Sequence, residues 1–269
     1  MNRLAIEYLS VFGLSPTEFV DVAAELGCGY ISMGLTGIHL ESLGYPHYSL
    51  REDAALRREF RAALTDRGVA ISLGEGFLIA PGTDWNAYAS DLDVMAELGA
   101  AQINTLGLDP DRNRTFDQFA RLTEFATDRG MRTTVEMMPG TVVGDLDAAA
   151  AAVAHVGQAD FRLLIDTMHL ARAGADADDI RRLDPATIGY AQLSDSPIIT
   201  DMAAYIEAAT FERMVPGTGA LPLAEILQAL PQEIHIGLEV PMRSLAEAGV
   251  GPLERLRPCV EAAHALIPA

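Results

Sequence analysis

A chain of 269 residues that is 49% hydrophobic is long enough to bury one large core. With 38 acidic against 19 basic side chains its net charge is −19, a surface that repels phosphate backbones, so no nucleic-acid partner is expected. The two cysteines, Cys28 and Cys259, match neither a CxxC nor a zinc-type spacing and read as buried thiols in a reducing compartment. The opening MNRLAIEYLS lacks the basic, apolar and small-residue zones of a secretory leader. No stretch approaches the roughly 18 consecutive apolar residues of a membrane span. A cytoplasmic protein that acts on a small molecule is expected, with a homo-oligomer left open.

In chain order, short apolar runs alternate with amphipathic segments. The strand candidates are Leu4–Val11, Tyr30–Leu35, Ala70–Gly74, Ala101–Leu106, Arg132–Met137, Phe161–Asp166, Ile188–Leu193 and His235–Val240. Several are nearly continuous in apolar residues, as parallel strands covered on both faces require. The helical patterns between them are Pro16–Leu26, Asp53–Asp66, Trp85–Leu98, Thr115–Arg129, Leu146–Val156, Asp178–Leu183 and Leu223–Leu230, and Pro252–Leu266 follows the last strand. Gly27, Gly68, Gly99, Gly130 and Gly157 each close one such segment, 41, 31, 31 and 27 residues apart, about the length of one strand-helix unit. Eight alternating units without a linker predict one (β/α)8 TIM barrel over residues 1–269. No glycine-rich dinucleotide fingerprint follows the first strand, where the text is Val11-Phe12-Gly13-Leu14-Ser15. The longest insertions, residues 36–52 and 194–220, follow the second and seventh strands and would lie on the face where barrel enzymes build their sites.

Four consecutive strands end in an oxygen-bearing side chain after an apolar run: Glu136, Asp166, Gln192 and Glu239. On a barrel these groups converge, and three close carboxylates repel one another unless a cation neutralises them. Oxygen donors favour a hard ion, Mn²⁺ or Mg²⁺. One divalent metal ion held by Glu136, Asp166, Gln192 and Glu239 is therefore expected.

Together with Asp166-Thr167-Met168-His169, Gln192-Leu193-Ser194-Asp195, Arg213, Pro216-Gly217-Thr218-Gly219 and Glu239-Val240-Pro241, this set resembles the xylose isomerase-like TIM barrels. That superfamily includes sugar isomerases and epimerases, inosose and 3-dehydroshikimate dehydratases and endonuclease IV-type proteins. The usual ligands there are Glu, Asp, His and Glu. Gln192 stands where His is common, as in some dehydroshikimate dehydratases. The resemblance implies that His169 faces the substrate and polarises or protonates its oxygen. It also implies that Arg213 pairs with a substrate oxygen or carboxylate; a surface ion pair with Glu212 is the alternative. Pro216–Gly219 is either an anion-binding turn or a plain turn into a helix. His47, in the insertion after the second strand, is a candidate substrate contact in a wall or lid. Met33, Met137, Met138, Met168 and Met214 near the top suggest a pocket less polar than a phosphosugar needs.

The implied activity is that of a metal-dependent isomerase or epimerase of a sugar or polyhydroxy-ketone. Glu136 and Glu239 would remove and return a proton next to a metal-bound carbonyl, with His169 as the third catalytic group. Loss of a β-hydroxyl after the same first step would make it a lyase, a dehydratase of the 3-dehydroshikimate or inosose type.

Overall fold

Eight parallel strands close on themselves in sequence order, β1 to β8, with β1 also pairing with β8. The computed structural model describes residues 3–267. The strands are β1 (Leu4–Ile6), β2 (Tyr30–Gly34), β3 (Ala70–Ile79), β4 (Gln102–Gly107), β5 (Arg132–Glu136), β6 (Phe161–Asp166), β7 (Ile188–Leu193) and β8 (His235–Leu238). The first five helices are α1 (Pro16–Glu25), α2 (Ala54–Arg67), α3 (Trp85–Leu98), α4 (Arg112–Thr127) and α5 (Leu146–Val156). They are followed by α6 (Thr167–Arg172), α7 (Ala177–Arg182), α8 (Met202–Phe211), α9 (Leu223–Ala229), α10 (Arg243–Glu247) and α11 (Pro252–Leu266). The chain is a single-domain (β/α)8 barrel. None of the described helices is long and apolar enough to cross a membrane.

Local chemistry sets the element ends. Asp53, Asp84, Asp111, Asp145 and Asp166 each accept backbone N–H groups at a helix start. Gly68, Gly99 and Gly157 take the left-handed conformation at helix ends, as the recurring glycine signature predicts. The main core lies between the barrel and its helices. Leu73, Leu164 and Tyr190 form a separate cluster.

Three departures from the sequence reading shape the site. The first strand stops at Ile6 instead of Val11, and Tyr8–Val11 forms a 3-10 turn. The turn is pinned by Tyr8 N donating to Ser32 Oγ (3.0 Å) and by Ser10 Oγ donating to Leu238 O (3.0 Å). The third strand continues five residues past Gly74, through a β-bulge. Gly74 pairs with Ile103 and Phe77 with Thr105, so Glu75 and Gly76 oppose Asn104 alone. Gly76, at φ 102°, supplies the conformation that this extra residue needs. The insertion after β7 carries a helix of its own, α8.

Glu7, directly after β1, is fully buried, and its side chain occupies the space left by Gly237 on β8. A Cβ at Gly237 would lie 1.6 Å from Glu7 Oε1. Gly237→Ala is therefore expected to cost roughly 1–3 kcal/mol or more through overpacking. Gly29→Ala, where no neighbouring atom lies within 4 Å of the new methyl, should stay within about 0.5 kcal/mol of wild type. Urea unfolding of the two variants checks this, and equal stabilities would contradict the packing account.

Candidate active site

Glu136 and Asp166 are the last residues of β5 and β6, Gln192 is the penultimate residue of β7, and Glu239 directly follows β8. Register places Asp166 beside Gln192, and the backbone of Glu239 donates to Leu193 O (3.2 Å). All four are buried. A cavity of about 300 Å³ opens above them, lined by Glu75, Glu136, His169, Arg213 and Glu239 and by an apolar wall that includes Leu9, Ile38, Leu78, Met138 and Ile206.

Asp166 has two tasks. Its Oδ1 accepts the backbone N–H groups of Met168 (2.7 Å) and His169 (2.8 Å), which starts α6 and fixes His169 over the site. Its Oδ2 accepts from Arg213 Nη1 at 2.5 Å. Burial alone would raise the Asp166 carboxyl, but the charges of Arg213 and His169 and these hydrogen bonds outweigh it and hold the group below its ordinary value. Arg213 reaches Glu239 Oε2 with Nη2 (2.7 Å), donates from Nη1 to Ser194 Oγ (3.1 Å) and donates from Nε to Ala209 O (2.7 Å). Burial lowers a guanidinium, but here Asp166 and Glu239 more than offset it, so Arg213 stays charged. Glu239 nevertheless moves well above its ordinary value. Burial is the largest cause; Arg213 opposes it, and Glu136, Asp166 and Glu7 push further up. The upward direction holds because one guanidinium is divided between two carboxyl groups.

His169 stands between two partners. Its Nε2 lies 3.2 Å from Glu136 Oε1, and its Nδ1 contacts the Tyr205 hydroxyl. A carboxylate can only accept, so a neutral ring carries its proton on Nε2, and its Nδ1 accepts a hydrogen bond from the Tyr205 hydroxyl. Burial raises the Tyr205 phenol, which keeps it a donor. Asn104 Nδ2 donates to Glu136 Oε2 (2.7 Å), and Thr134 Oγ1 donates to Asn104 Oδ1 (3.2 Å), which fixes the orientation of the amide.

Below lies Glu7, which accepts from Tyr190 Oη (2.7 Å) and from Gln192 Nε2 (3.5 Å). Gln192 Nε2 also lies 3.3 Å from Glu239 Oε1, so the amide nitrogen is committed to two carboxyl groups. Its carbonyl, Oε1, is buried without a hydrogen-bond partner. An orphaned acceptor among carboxyl groups fits a cation. Glu136, Asp166 and His169 also offer donor atoms that all lie within 4.8 Å of one another. The donor chemistry therefore suits a divalent ion, with His169 nearer the ligand cluster than its expected place facing substrate alone.

The other candidates lie elsewhere or are already engaged. Arg213 is buried and pairs with Asp166 and Glu239, not with Glu212, whose Oε1 accepts from Ser244 N (2.6 Å). The anion at Pro216–Gly219 is the chain's own Asp195, which accepts from Gly217 N and Gly219 N at 2.8 and 2.9 Å. His47 is exposed, 3.3 Å from Glu41 and tilted against His39 with ring centroids 4.0 Å apart; Ile38 is the residue of that insertion that lines the cavity. Of the five methionines, Met138 reaches the cavity lining. Glu7, Glu75, Asn104 and Tyr205 were not singled out by the sequence.

The sequence profile of the xylose isomerase-like TIM barrel family matches residues 20–262. A Streptomyces coelicolor protein named as a hydroxypyruvate isomerase is 29% identical over 188 residues, which cover 61% of this chain and 62% of that protein. The matched region thus spans about three fifths of that relative. Among solved structures, a D-psicose 3-epimerase from Clostridium cellulolyticum, with D-tagatose, aligns with TM-score 0.74 at 14% identity, covering 99% of this chain and all of that one. A Bacillus anthracis protein named as a 3-DHS dehydratase aligns with TM-score 0.72 at 17% identity over 92% and 97% of the two chains. The zinc-bound IOLI protein aligns with TM-score 0.79 at 13% identity over 98% of each.

Burial pushes Glu7 from 4.5 up to about 7, against hydrogen bonds from Ser32, Tyr190 and Gln192 and with a smaller contribution from Glu136. Between these values the folded chain holds a proton that the unfolded chain has released, so this group makes stability fall as pH rises through that window. Glu7→Gln removes the effect. Without added metal, the stability of the variant relative to wild type should improve from pH 5 to pH 8, by on the order of 1–3 kcal/mol. Urea unfolding at both values measures it, and a constant difference would contradict the assignment.

Proposed function

Because this chain belongs to the xylose isomerase-like TIM barrel family, we propose that it is a divalent-metal-dependent isomerase or epimerase of an uncharged sugar or polyhydroxy-ketone. It would move a proton on the carbon next to a carbonyl. The supporting observation is one cavity in which Glu136 and Glu239 are each held by their own donors: Glu136 by Asn104 and His169, and Glu239 by Arg213 and Gln192. Either carboxylate can accept the substrate proton, and the other can return one from its own side, which gives epimerisation. Return to the neighbouring carbon gives aldose-ketose isomerisation. His169, carrying its proton on Nε2, can donate to a substrate oxygen while Tyr205 holds the ring. Glu136, Asp166, Gln192 and Glu239 would hold the ion, whose contribution is polarisation of a carbonyl oxygen.

Two features narrow the chemistry. All 19 basic residues are arginines, so no lysine side chain can activate the carbonyl as a Schiff base. Among the described residues, Arg213 is the one Arg or Lys in the cavity lining, and each of its three side-chain nitrogens is already held by the protein, two of them by carboxyl groups. A phosphate or a free carboxylate would therefore enter a site rich in carboxyl groups with no uncommitted guanidinium to receive it. This supports an unphosphorylated ketose over a phosphosugar or a keto-acid. The apolar wall also suits a dehydratase acting on a carbocycle, the second reading, in which the proton lost next to the carbonyl is followed by loss of a β-hydroxyl.

With Mn²⁺ and D₂O, wild-type protein should place deuterium on the carbon next to the carbonyl of a ketose from an unphosphorylated panel. The product keeps its elemental composition apart from the label; loss of one water would mark the dehydratase. Glu136→Gln should lose about 10²–10⁴-fold of the rate at saturating Mn²⁺. His169→Ala should also slow exchange. Near-normal exchange by both variants would remove the proton-transfer roles.

A further inference from the structure

We infer that Glu75 is a specificity-determining substrate contact, which takes a hydroxyl of the ligand at the β3 side of the cavity; the inference rests on the proposed ketose chemistry. Leu73 packs with Leu164 and Tyr190 inside the barrel, and strand alternation puts Glu75, two residues on, on the same inward face, opposite Asn104 and just before the extra residue Gly76. The result is a carboxyl group in a cavity whose lining also includes Tyr8, Leu9, Ile38, Leu78 and Leu106. Leaving a polar group unpaired in such a lining is costly, so a ligand hydroxyl has a strong partner there.

The surroundings leave room for that partner. Among the described residues, the hydrogen bond recorded for the Glu75 carboxyl is from Asn104 Nδ2 to Oε2, at a long 3.4 Å. The same nitrogen makes its short bond, 2.7 Å, to Glu136. Asn104 thus ties the position of Glu75 to that of the proposed base. Tyr8 lines the cavity beside Glu75, its ring filling the space above Gly34, where a Cβ would lie 2.8 Å from Tyr8 Cε2. Glu75 also borders a smaller cavity of about 130 Å³, whose lining includes the Arg51–Asp91 ion pair and which has space for a hydroxymethyl group. A ligand lying across the main cavity would present its reacting end to His169 and Glu136 and a hydroxyl to Glu75.

The test compares D-psicose with its monodeoxy derivatives, using wild type, Glu75→Gln and Glu75→Leu with Mn²⁺ supplied. Two readouts are used, solvent deuterium exchange (kcat/KM) and calorimetric binding. Wild type should prefer the parent sugar over one particular deoxy derivative by about 10–100-fold, the scale of a buried hydrogen bond to a polar group. In Glu75→Leu that ratio should collapse to within about 3-fold while the ratios for the other derivatives stay put. Glu75→Gln, which keeps a hydrogen-bonding end, should retain part of it. A Glu75→Leu variant that loses the same factor on every sugar, or keeps the wild-type ratios, overturns the inference. Hydroxyl-selective binding that depends on Glu75, without any deuterium exchange, would overturn the proton-transfer reading and support this one. Exchange with ratios unaffected by Glu75 would do the reverse, and neither binding nor exchange would overturn both.

Discussion

The top of this barrel is built around a charge imbalance. Glu7, Glu75, Glu136, Asp166 and Glu239 face a shared interior with one guanidinium among them, that of Arg213. Arg213 lies between Asp166 and Glu239 at 2.5 and 2.7 Å, and removal of Arg213 would leave both buried carboxyl groups without their cationic partner. Even so, Glu7, Glu75 and Glu239 are all pushed above their ordinary values, with burial the largest cause and mutual repulsion adding to it. A site of this composition is eased by protons or by a cation, and the proposed function places a cation beside the orphaned carbonyl of Gln192.

The rest of the architecture serves that arrangement. Asp166 joins the ion pair to the start of α6, so the bonds that place the carboxylate also place His169. Tyr205, carried on α8, holds the far side of the imidazole. Gly237 gives up its side chain so that Glu7 can reach Tyr190 and Gln192 inside the barrel. Through Gln192 Nε2, Glu7 in turn leaves the amide oxygen of Gln192 unpaired by protein. Asn104 does the corresponding work between Glu136 and Glu75, with its orientation fixed by Thr134.

The barrel was legible because its signals are local. Apolar runs of strand length, Asp caps and closing glycines each report on their own neighbourhood, and eight repeats fix the architecture. The strand-end residues Glu136, Asp166, Gln192 and Glu239 could be read for the same reason, since each follows an apolar run that stops at a polar group. Glu75 lies one residue beyond the point where the third strand was expected to end, so its inward place on that strand could not be read. Glu7 sat inside an apolar run without marking its end. Tyr205 sits on α8, whose sequence MAAYIEAATF has no clear polar stripe to announce a helix. The pairing of Arg213 with Asp166, 47 positions away, is set by the path of the insertion after β7, which returns over the end of β6, and leaves no local trace.

The central claim is that this set of oxygen donors is completed by a divalent ion that Gln192 helps to hold. Anomalous diffraction at the manganese edge from crystals soaked in Mn²⁺ tests it most directly. The account predicts one peak at about 2.0–2.3 Å from Gln192 Oε1 and from oxygens of Glu136, Asp166 and Glu239. No peak, or a peak held by Glu136, Asp166 and His169 with Gln192 Oε1 left unbound, would contradict it.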